Sequence, residues 1–382
     1  MKILNVNMSL DPVAGAGTAE RTFQMSRYLA RAGMDCTILT MDAGMTLKHR
    51  QSLDPVLVVA LPVLSRRFYI PMARYGAIME LVGEMDIIHL MNHWTMLNAL
   101  VYRAARRLGK PYVVCPAGSL PIFGRSRKIK KLYNLIVGDA IIRLASGHIA
   151  ITADEKTHFS DYGISPDCVS IIPNGIDEET GREGDPGAFR QAAGLGQAPF
   201  ILFMGRLNAI KGPDLLLQAF GLNRDLMGDV HLVFAGPDEG LLPELKRMTH
   251  EYGLSDRVHF PGYLGGRDKI GAYQAASILA VPSRQEAMSI VALEAGINGV
   301  PVLLTDRCGF GEVERFGGGM VVPASAEGLQ AGLLNMMNLD PIKRKGMGEA
   351  LKTYVKDHYL WDSIVHSYVA LYRRILSEKA LQ

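Results

Sequence analysis

Two successive series of short β-rich apolar runs, spaced by segments of helix length, constrain this chain more than any other feature. The first series occupies residues 3–8, 36–40, 56–61, 87–89, 112–115, 148–152 and 169–172, with helical stretches such as 18–32, 94–108 and 127–144 between them. The second occupies 200–204, 230–235, 258–260, 278–281, 302–304 and 320–322. Alternation of this kind predicts an α/β chain with a doubly wound parallel sheet in each series. Between the two, Pro173-Asn174-Gly175-Ile176-Asp177 and the polar, Gly- and Glu-rich stretch through Gly187 have the turn chemistry of a hinge. The expected organisation is an N-terminal domain over 1–172, a linker over 173–187 and a second domain over 188–359. A C-terminal helix over 360–382 follows. Trp361, Ile364, Val365, Tyr368, Leu371, Tyr372 and Leu376 recur there at helical spacing, so one face is expected to pack back on the first domain. A chain of 382 residues suits two domains better than one core.

No apolar run approaches the ~18 residues that read as a membrane span, and Met1-Lys2 leads straight into the first strand, so the expected compartment is the cytoplasm. Four cysteines, Cys36, Cys115, Cys168 and Cys308, stand far apart without a Cys-x-x-Cys pair, and are expected to be small buried residues. The net charge of +3 conceals an asymmetry: 20 Lys and Arg against 13 Asp and Glu up to Ser170, and 21 against 25 after it. The N-terminal half therefore suits an anionic partner, a phospholipid surface or a phosphorylated acceptor. Nucleic acid is not expected, since no aromatic-basic motif or zinc spacing accompanies the charge.

Chemistry concentrates in Pro282-Ser283-Arg284-Gln285-Glu286-Ala287-Met288-Ser289-Ile290-Val291-Ala292-Leu293-Glu294-Ala295, where two carboxylates flank a strand-to-helix junction. A helix starting near Met288 would offer its free N–H groups to a pyrophosphate, with Glu286 just ahead and Glu294 about two turns in. Arg206, at the end of an apolar strand, has a planar fork suited to phosphate oxygens, and Lys211 adds a second positive charge.

These residues, with Gly299-Val300-Pro301-Val302, Phe203-Met204-Gly205-Arg206-Leu207 and Lys211-Gly212, resemble the signature of glycosyltransferase family 4, the group 1 transferases of GT-B fold. Phe234-Ala235-Gly236-Pro237 and Phe260-Pro261-Gly262-Tyr263-Leu264 are similar to the family's two strand-end loops near the nucleotide base, and Ile172-Pro173-Asn174-Gly175-Ile176-Asp177 to its interdomain junction. The resemblance implies two Rossmann-like domains with sheets facing across a cleft, and a UDP- or GDP-hexose donor. It implies a donor site of Gly15, Gly17, Arg206, Lys211, Gly236, Pro237, Tyr263, Leu264, Ala287, Met288, Ser289, Ile290 and Glu294. Glu286 would hold sugar hydroxyls as a catalytic residue, and transfer would retain the anomeric configuration. No Asp-x-Asp occurs in the chain, so no metal and no cofactor are expected. The setting implied is surface polysaccharide or lipid-linked glycan synthesis.

On the acceptor side, Asp86-Ile87-Ile88-His89-Leu90-Met91-Asn92-His93-Trp94 resembles a family segment with a strand-end His facing the cleft, here His93, a second catalytic candidate. Ala117 stands where many members have a His. The run Arg125, Arg127, Lys128, Lys130 and Lys131 opens a helix with an apolar face, suited to a lipid-linked acceptor or to peripheral docking at the inner face of the cell membrane. Two alternatives remain open at this point. One is a nicotinamide-dependent oxidoreductase built on Gly15 and Gly17, against which Glu20 stands where a third glycine belongs. The other is a nucleotide-sugar-binding protein without turnover.

Overall fold

A parallel strand covered on both faces gains from burying every residue, about 1.5–3 kcal/mol for each Val, Leu, Ile or Phe, and the apolar runs of this chain become strands of that kind. The computed structural model describes residues 1–11, 15–65, 69–122 and 126–381. Its strands are β1 Lys2–Val6, β2 Asp35–Met41, β3 Leu57–Leu61, β4 Val63–Ser65, β5 Ile70–Pro71, β6 Ile87–Met91, β7 Tyr112–Cys115, β8 Gly147–Ala150 and β9 Val169–Ile171 in the first half. In the second half they are β10 Phe200–Met204, β11 His231–Ala235, β12 Val258–Gly262, β13 Ile278–Val281, β14 Val302–Thr305 and β15 Gly319–Val322. Among the described residues they form a sheet of order β3-β2-β1-β6-β7-β8-β9, a sheet of order β12-β11-β10-β13-β14-β15, and the small pair β4-β5. The two large sheets are parallel throughout. Strands β6, β10, β13 and β14 are buried along their whole length.

The chain divides into two units, Met1–Gly175 with Trp361–Gln382, and Ile176–Leu360. Each sheet reverses its winding once, between β1 and β6 in the first unit and between β10 and β13 in the second. Open α/β sheets bind ligands outside the carboxyl ends of the strands at such a reversal. Each unit has its own core, with Leu4, Leu39, Ile88, Leu97 and Val114 in one and Ile201, Leu216, Phe220, Leu232 and Ile278 in the other.

The segment 173–187 is divided between the units and well packed. Asn174 accepts a 2.6 Å bond from Arg21, and a Cβ on Gly175 would come within 2.5 Å of the Trp361 ring. Beyond it, Ile176 N–H donates to Tyr359 O at 2.7 Å and Asp177 caps the turn Glu178–Gly181. The C-terminal helix Trp361–Ala380 belongs to the first unit, where Trp361 stacks on Tyr28 and the buried Arg21 donates to Tyr368. The predicted stretch 127–144 is broken by a π turn, as Arg127–Tyr133, Asn134–Gly138 and Asp139–Arg143. Cys36, Cys115 and Cys308 are buried, whereas Cys168 is exposed, because it ends the surface turn Pro166–Cys168 ahead of the edge strand β9.

Candidate active site

In the second unit, the loops that follow the central strands β10 and β13 are zipped together. Arg284 N–H donates to Ile210 O at 2.8 Å, and the Arg284 guanidinium binds Asp214 through both carboxylate oxygens at 2.8 and 2.6 Å. Gly212 sits at φ +68° where a Cβ would come 2.1 Å from Pro282 O, so this crossing requires glycine. Across the same seam Lys211 Nζ lies 2.8 Å from Glu286 Oε1.

The turn after β14 holds the β13 loop from its other side. Glu286 N–H donates to Arg307 O at 2.8 Å, and Thr305 Oγ1 donates to Ser283 O at 2.6 Å. Ser283 Oγ completes the frame with a 2.9 Å bond to Glu286 Oε2. Glu286 is therefore fixed by a lysine, a hydroxyl and its own backbone. Burial, reinforced by the charge of Glu286, pushes the Cys308 thiol up to about 12, so Cys308 is a neutral packing group here.

Arg206 leaves the end of β10 and donates to Glu239 Oε1 at 2.8 Å, while Asn208 donates to Glu239 Oε2 at 2.6 Å. Its Nε–H is buried without an acceptor among the described residues. The loops after β10 and β11 meet where Gly236, at φ +147°, passes so close that a Cβ would lie 1.8 Å from Gly205 O. Pro237 accepts from Leu207 N–H at 2.9 Å in the same contact. After β12, Tyr263 is exposed and Leu264 half-buried.

The expected helix near Met288 begins later, as Ile290–Ile297 with Ser289 at its N-cap. Ala287 and Met288 stay in the loop because Gly309, at φ +62°, packs where a Cβ would be 1.7 Å from Ala287 O. Glu294 consequently stands about one turn into the helix, roughly 6 Å of rise, rather than two. Ser289 is fully buried, and its Oγ has no partner among the described residues. Among the described residues, the helix thus starts with no side-chain cap on its N–H groups and with an unbonded hydroxyl beside them. Glu294 is also held more firmly than its spacing suggests. Lys269 donates to Oε1 at 2.6 Å and Tyr273 to Oε2 at 2.7 Å, both from the helix Gly266–Ala275. Burial, with the neighbouring Glu294 charge, raises the Tyr273 hydroxyl well above its ordinary value, so it is a committed donor.

In the first unit, Gly15 and Gly17 lie at the start of the helix Ala16–Arg31 after β1. Gly15 is tightly enclosed, since a Cβ would meet Ala19 Cβ at 2.5 Å and Asp11 O at 2.7 Å. Glu20, where a dinucleotide fingerprint needs glycine, accepts from Gln24 at 2.9 Å on the same helix.

His93 departs from expectation. It is fully buried rather than open at a strand end, its Nε2 is 3.0 Å from Asn134 Oδ1, and Trp94, Tyr133 and Tyr162 surround it edge-on. Burial lowers its pKa to about 4 despite the Asn134 bond, so the ring is neutral near pH 7. His89 is likewise internal, 2.6 Å from the Tyr372 hydroxyl, and burial lowers it to about 3. Ala117 adopts φ +50° in a loop whose next residue, Gly118, donates its N–H to the buried Glu155. Of the basic run, Arg127, Lys128 and Lys131 are exposed, Lys130 lies over the Trp94 ring at 5.5 Å, and Arg125 is outside the described residues.

Sequence spacing gave no hint of Glu239, Lys269 or Tyr273, which reach the site from 33, 25 and 21 residues away. Ser283 at three residues from Glu286 was closer to hand, since a short hydroxyl beside a loop carboxylate is a common local bond. Among the described residues no three His, Cys, Asp or Glu side chains gather to hold a metal ion.

Comparison with known proteins shows the family and the fold. The family described as Glycosyl transferases group 1 matches residues 187–354, and that described as Glycosyltransferase Family 4 matches residues 15–180. A D-inositol 3-phosphate glycosyltransferase of Frankia alni is 30% identical over 340 residues, covering 78% of this chain and 80% of that protein. Among solved structures, Anabaena HepE in complex with UDP and glucose is similar with a TM-score of 0.80 at 19% identity, over 97% of this chain and 98% of that one. Sucrose-phosphate synthase of Thermosynechococcus elongatus is similar with a TM-score of 0.79 at 20% identity, over 99% and 100%. At such identities the two structures speak for the fold alone.

Proposed function

The chain belongs to the group 1 glycosyltransferases of family 4, of GT-B fold, and from that premise we propose that it moves a hexosyl group from UDP- or GDP-hexose to an acceptor hydroxyl, with retention and without a metal ion. One observation carries the reading. At the winding reversal of the second sheet, Lys211 is locked onto Glu286, and Arg206 keeps a buried N–H that lacks an acceptor among the described residues. A diphosphate oxygen would supply that acceptor.

As the bond from the sugar to the phosphate breaks, negative charge grows on the departing nucleoside diphosphate. Arg206, Lys211 and the N–H groups at the start of Ile290–Ile297 meet that charge without moving, the kind of stabilisation that dominates in preorganised sites. Lys211 has three N–H donors, so its bond to Glu286 leaves others for phosphate. Glu286 accepts from the hydroxyls of the transferred sugar, and Glu294, whose oxygens each keep a second lone pair, accepts from the ribose. The acceptor hydroxyl attacks the face the phosphate leaves and passes its proton to the departing phosphate oxygen on that same face, giving retention. His93, neutral and enclosed, takes no part in proton transfer.

The relatives orient the choice of substrates. The HepE complexes hold UDP or UDP-glucose, which makes a uridine donor the first to try. The name of the Frankia relative and the basic N-terminal half favour a phosphorylated or lipid-linked acceptor, in glycan or surface-polysaccharide assembly. The test is transfer from UDP- and GDP-hexoses to an acceptor panel in the presence of EDTA, with the product anomer read by NMR. Retention in EDTA is expected. An inverted product, or activity only with a divalent cation, contradicts the proposal. Donor binding without turnover over a broad panel would mark a binding protein instead, the outcome for which Ala117 leaves room.

A further inference from the structure

The helical segment 127–143 has one apolar face too many. Its inner side is fully accounted for: Tyr133 donates to Thr95 O at 3.0 Å, Asn134 bonds Tyr162 at 2.9 Å and His93 at 3.0 Å, and Ile141 and Ile142 lie in the core. Gly138 closes that side, since a Cβ there would fall 2.3 Å from Asn134 Oδ1 and 3.1 Å from His93 Nε2. Yet the outer side carries Ile129 at 58%, Leu132 at 55%, Leu135 at 82% and Ile136 at 72% exposure. One exposed leucine is ordinary, but four large aliphatic side chains on successive turns of one helix form a patch that asks for a partner.

The π turn Asn134–Gly138 contributes to this arrangement. An i→i+5 turn takes in an extra residue and shifts the helical phase of the residues beyond it. Here Leu135 and Ile136 both face out while Asn134 keeps its inward bonds. Arg127, Lys128 and Lys131 are exposed among the apolar residues, and from Ser126 to Gly138 the sequence has no Asp or Glu.

We propose that this outer face docks the protein on an anionic lipid bilayer, with Leu132, Leu135 and Ile136 entering the headgroup boundary and Arg127, Lys128 and Lys131 meeting the lipid phosphates. Charge decides the occupant. A second copy of this chain in a two-fold contact would bring its own three cations against these, and like charges would oppose it. A bilayer of acidic lipids offers an apolar interior under a negative surface, which matches both halves of the patch. The patch lies on the first unit, and docking there does not depend on the donor chemistry.

The test is co-sedimentation of the full chain with phosphatidylcholine vesicles, with and without phosphatidylglycerol. Binding to the acidic vesicles is expected, weakening as salt shortens the Debye length from about 10 Å at 0.1 M toward about 3 Å at 1 M. Leu135→Asp with Ile136→Asp should lower the partition coefficient at least about tenfold. These side chains are exposed, so the melting temperature and donor binding should be unchanged, which separates lost docking from misfolding. Equal binding by wild type and variant, equal binding to neutral vesicles, or none to acidic vesicles would overturn the proposal. So would self-association in sedimentation velocity that the same double variant abolishes, since it would give the face to a second copy.

Discussion

Lys211 Nζ stands 2.8 Å from Glu286 Oε1, joining the loop after one central strand to the loop after its neighbour. Their side chains are 24% and 13% exposed, so each is the other's principal counter-charge in a site only partly open to water. Glu286→Gln keeps an acceptor for Lys211 and should preserve the fold while lowering turnover by about 10²–10³-fold, the usual scale for removing one preorganised group. Initial-rate kinetics check this. Lys211→Met leaves the carboxylate without its partner and should cost stability as well as rate, which urea unfolding would show.

Glu294 is held by Lys269 and Tyr273, and that grip makes the ribose contact proposed for it testable from a distance. Tyr273→Phe removes one bond to a buried carboxylate and should cost about 1–3 kcal/mol of stability. Lys269→Met should raise the donor KM more than it lowers kcat, because in the proposed site the carboxylate it orients meets the ribose and not the reacting carbon. An unchanged KM would remove Lys269 from the donor site.

Gly236 should tolerate no side chain. Gly236→Ala forces a Cβ into Gly205 O and should destabilise by about 1–3 kcal/mol, the range for overpacking, in addition to its left-handed strain. Gly240, at φ +102° with open space around it, is the control. Gly240→Ala should cost only the strain of about 1–2 kcal/mol. Equal midpoints for the two variants in urea would show that the close approach does not matter.

The buried histidine predicts an acid-side loss of stability. His93 has its pKa lowered to about 4 in the folded chain, so below about pH 6.5 the unfolded chain takes up a proton that the folded one refuses. Its contribution is complete above about 6.5 and is lost as pH falls toward 4, at up to about 1.4 kcal/mol per unit. His93→Gln should flatten the stability profile over that window relative to wild type. Parallel profiles would mean that His93 titrates alike in both states.

The strands of the two large sheets were legible because most are runs of residues that profit from burial, a property local to the run, whereas the short pair β4 and β5 was not read from the sequence. Helix ends and side-chain partners were not local. The turn after β14, through Gly309, holds Ala287 in the loop, so the helix starts at Ile290. His93 is enclosed by Tyr133, Asn134 and Tyr162, all contributed by later segments. Glu286 and Glu294 could be singled out from their spacing across a strand-to-helix junction. Their partners Lys211, Lys269 and Tyr273 become partners only when neighbouring strand–helix units pack side by side.

Calorimetric titration of UDP and GDP into wild type and Arg206→Ala in EDTA reads whether Arg206 holds the nucleoside diphosphate without a metal. Wild type should bind one of the two in EDTA and the variant should bind it at least about tenfold more weakly, as expected for the loss of a charge-assisted bond. Undiminished binding by Arg206→Ala, or binding that appears only when a divalent cation is added, would contradict it.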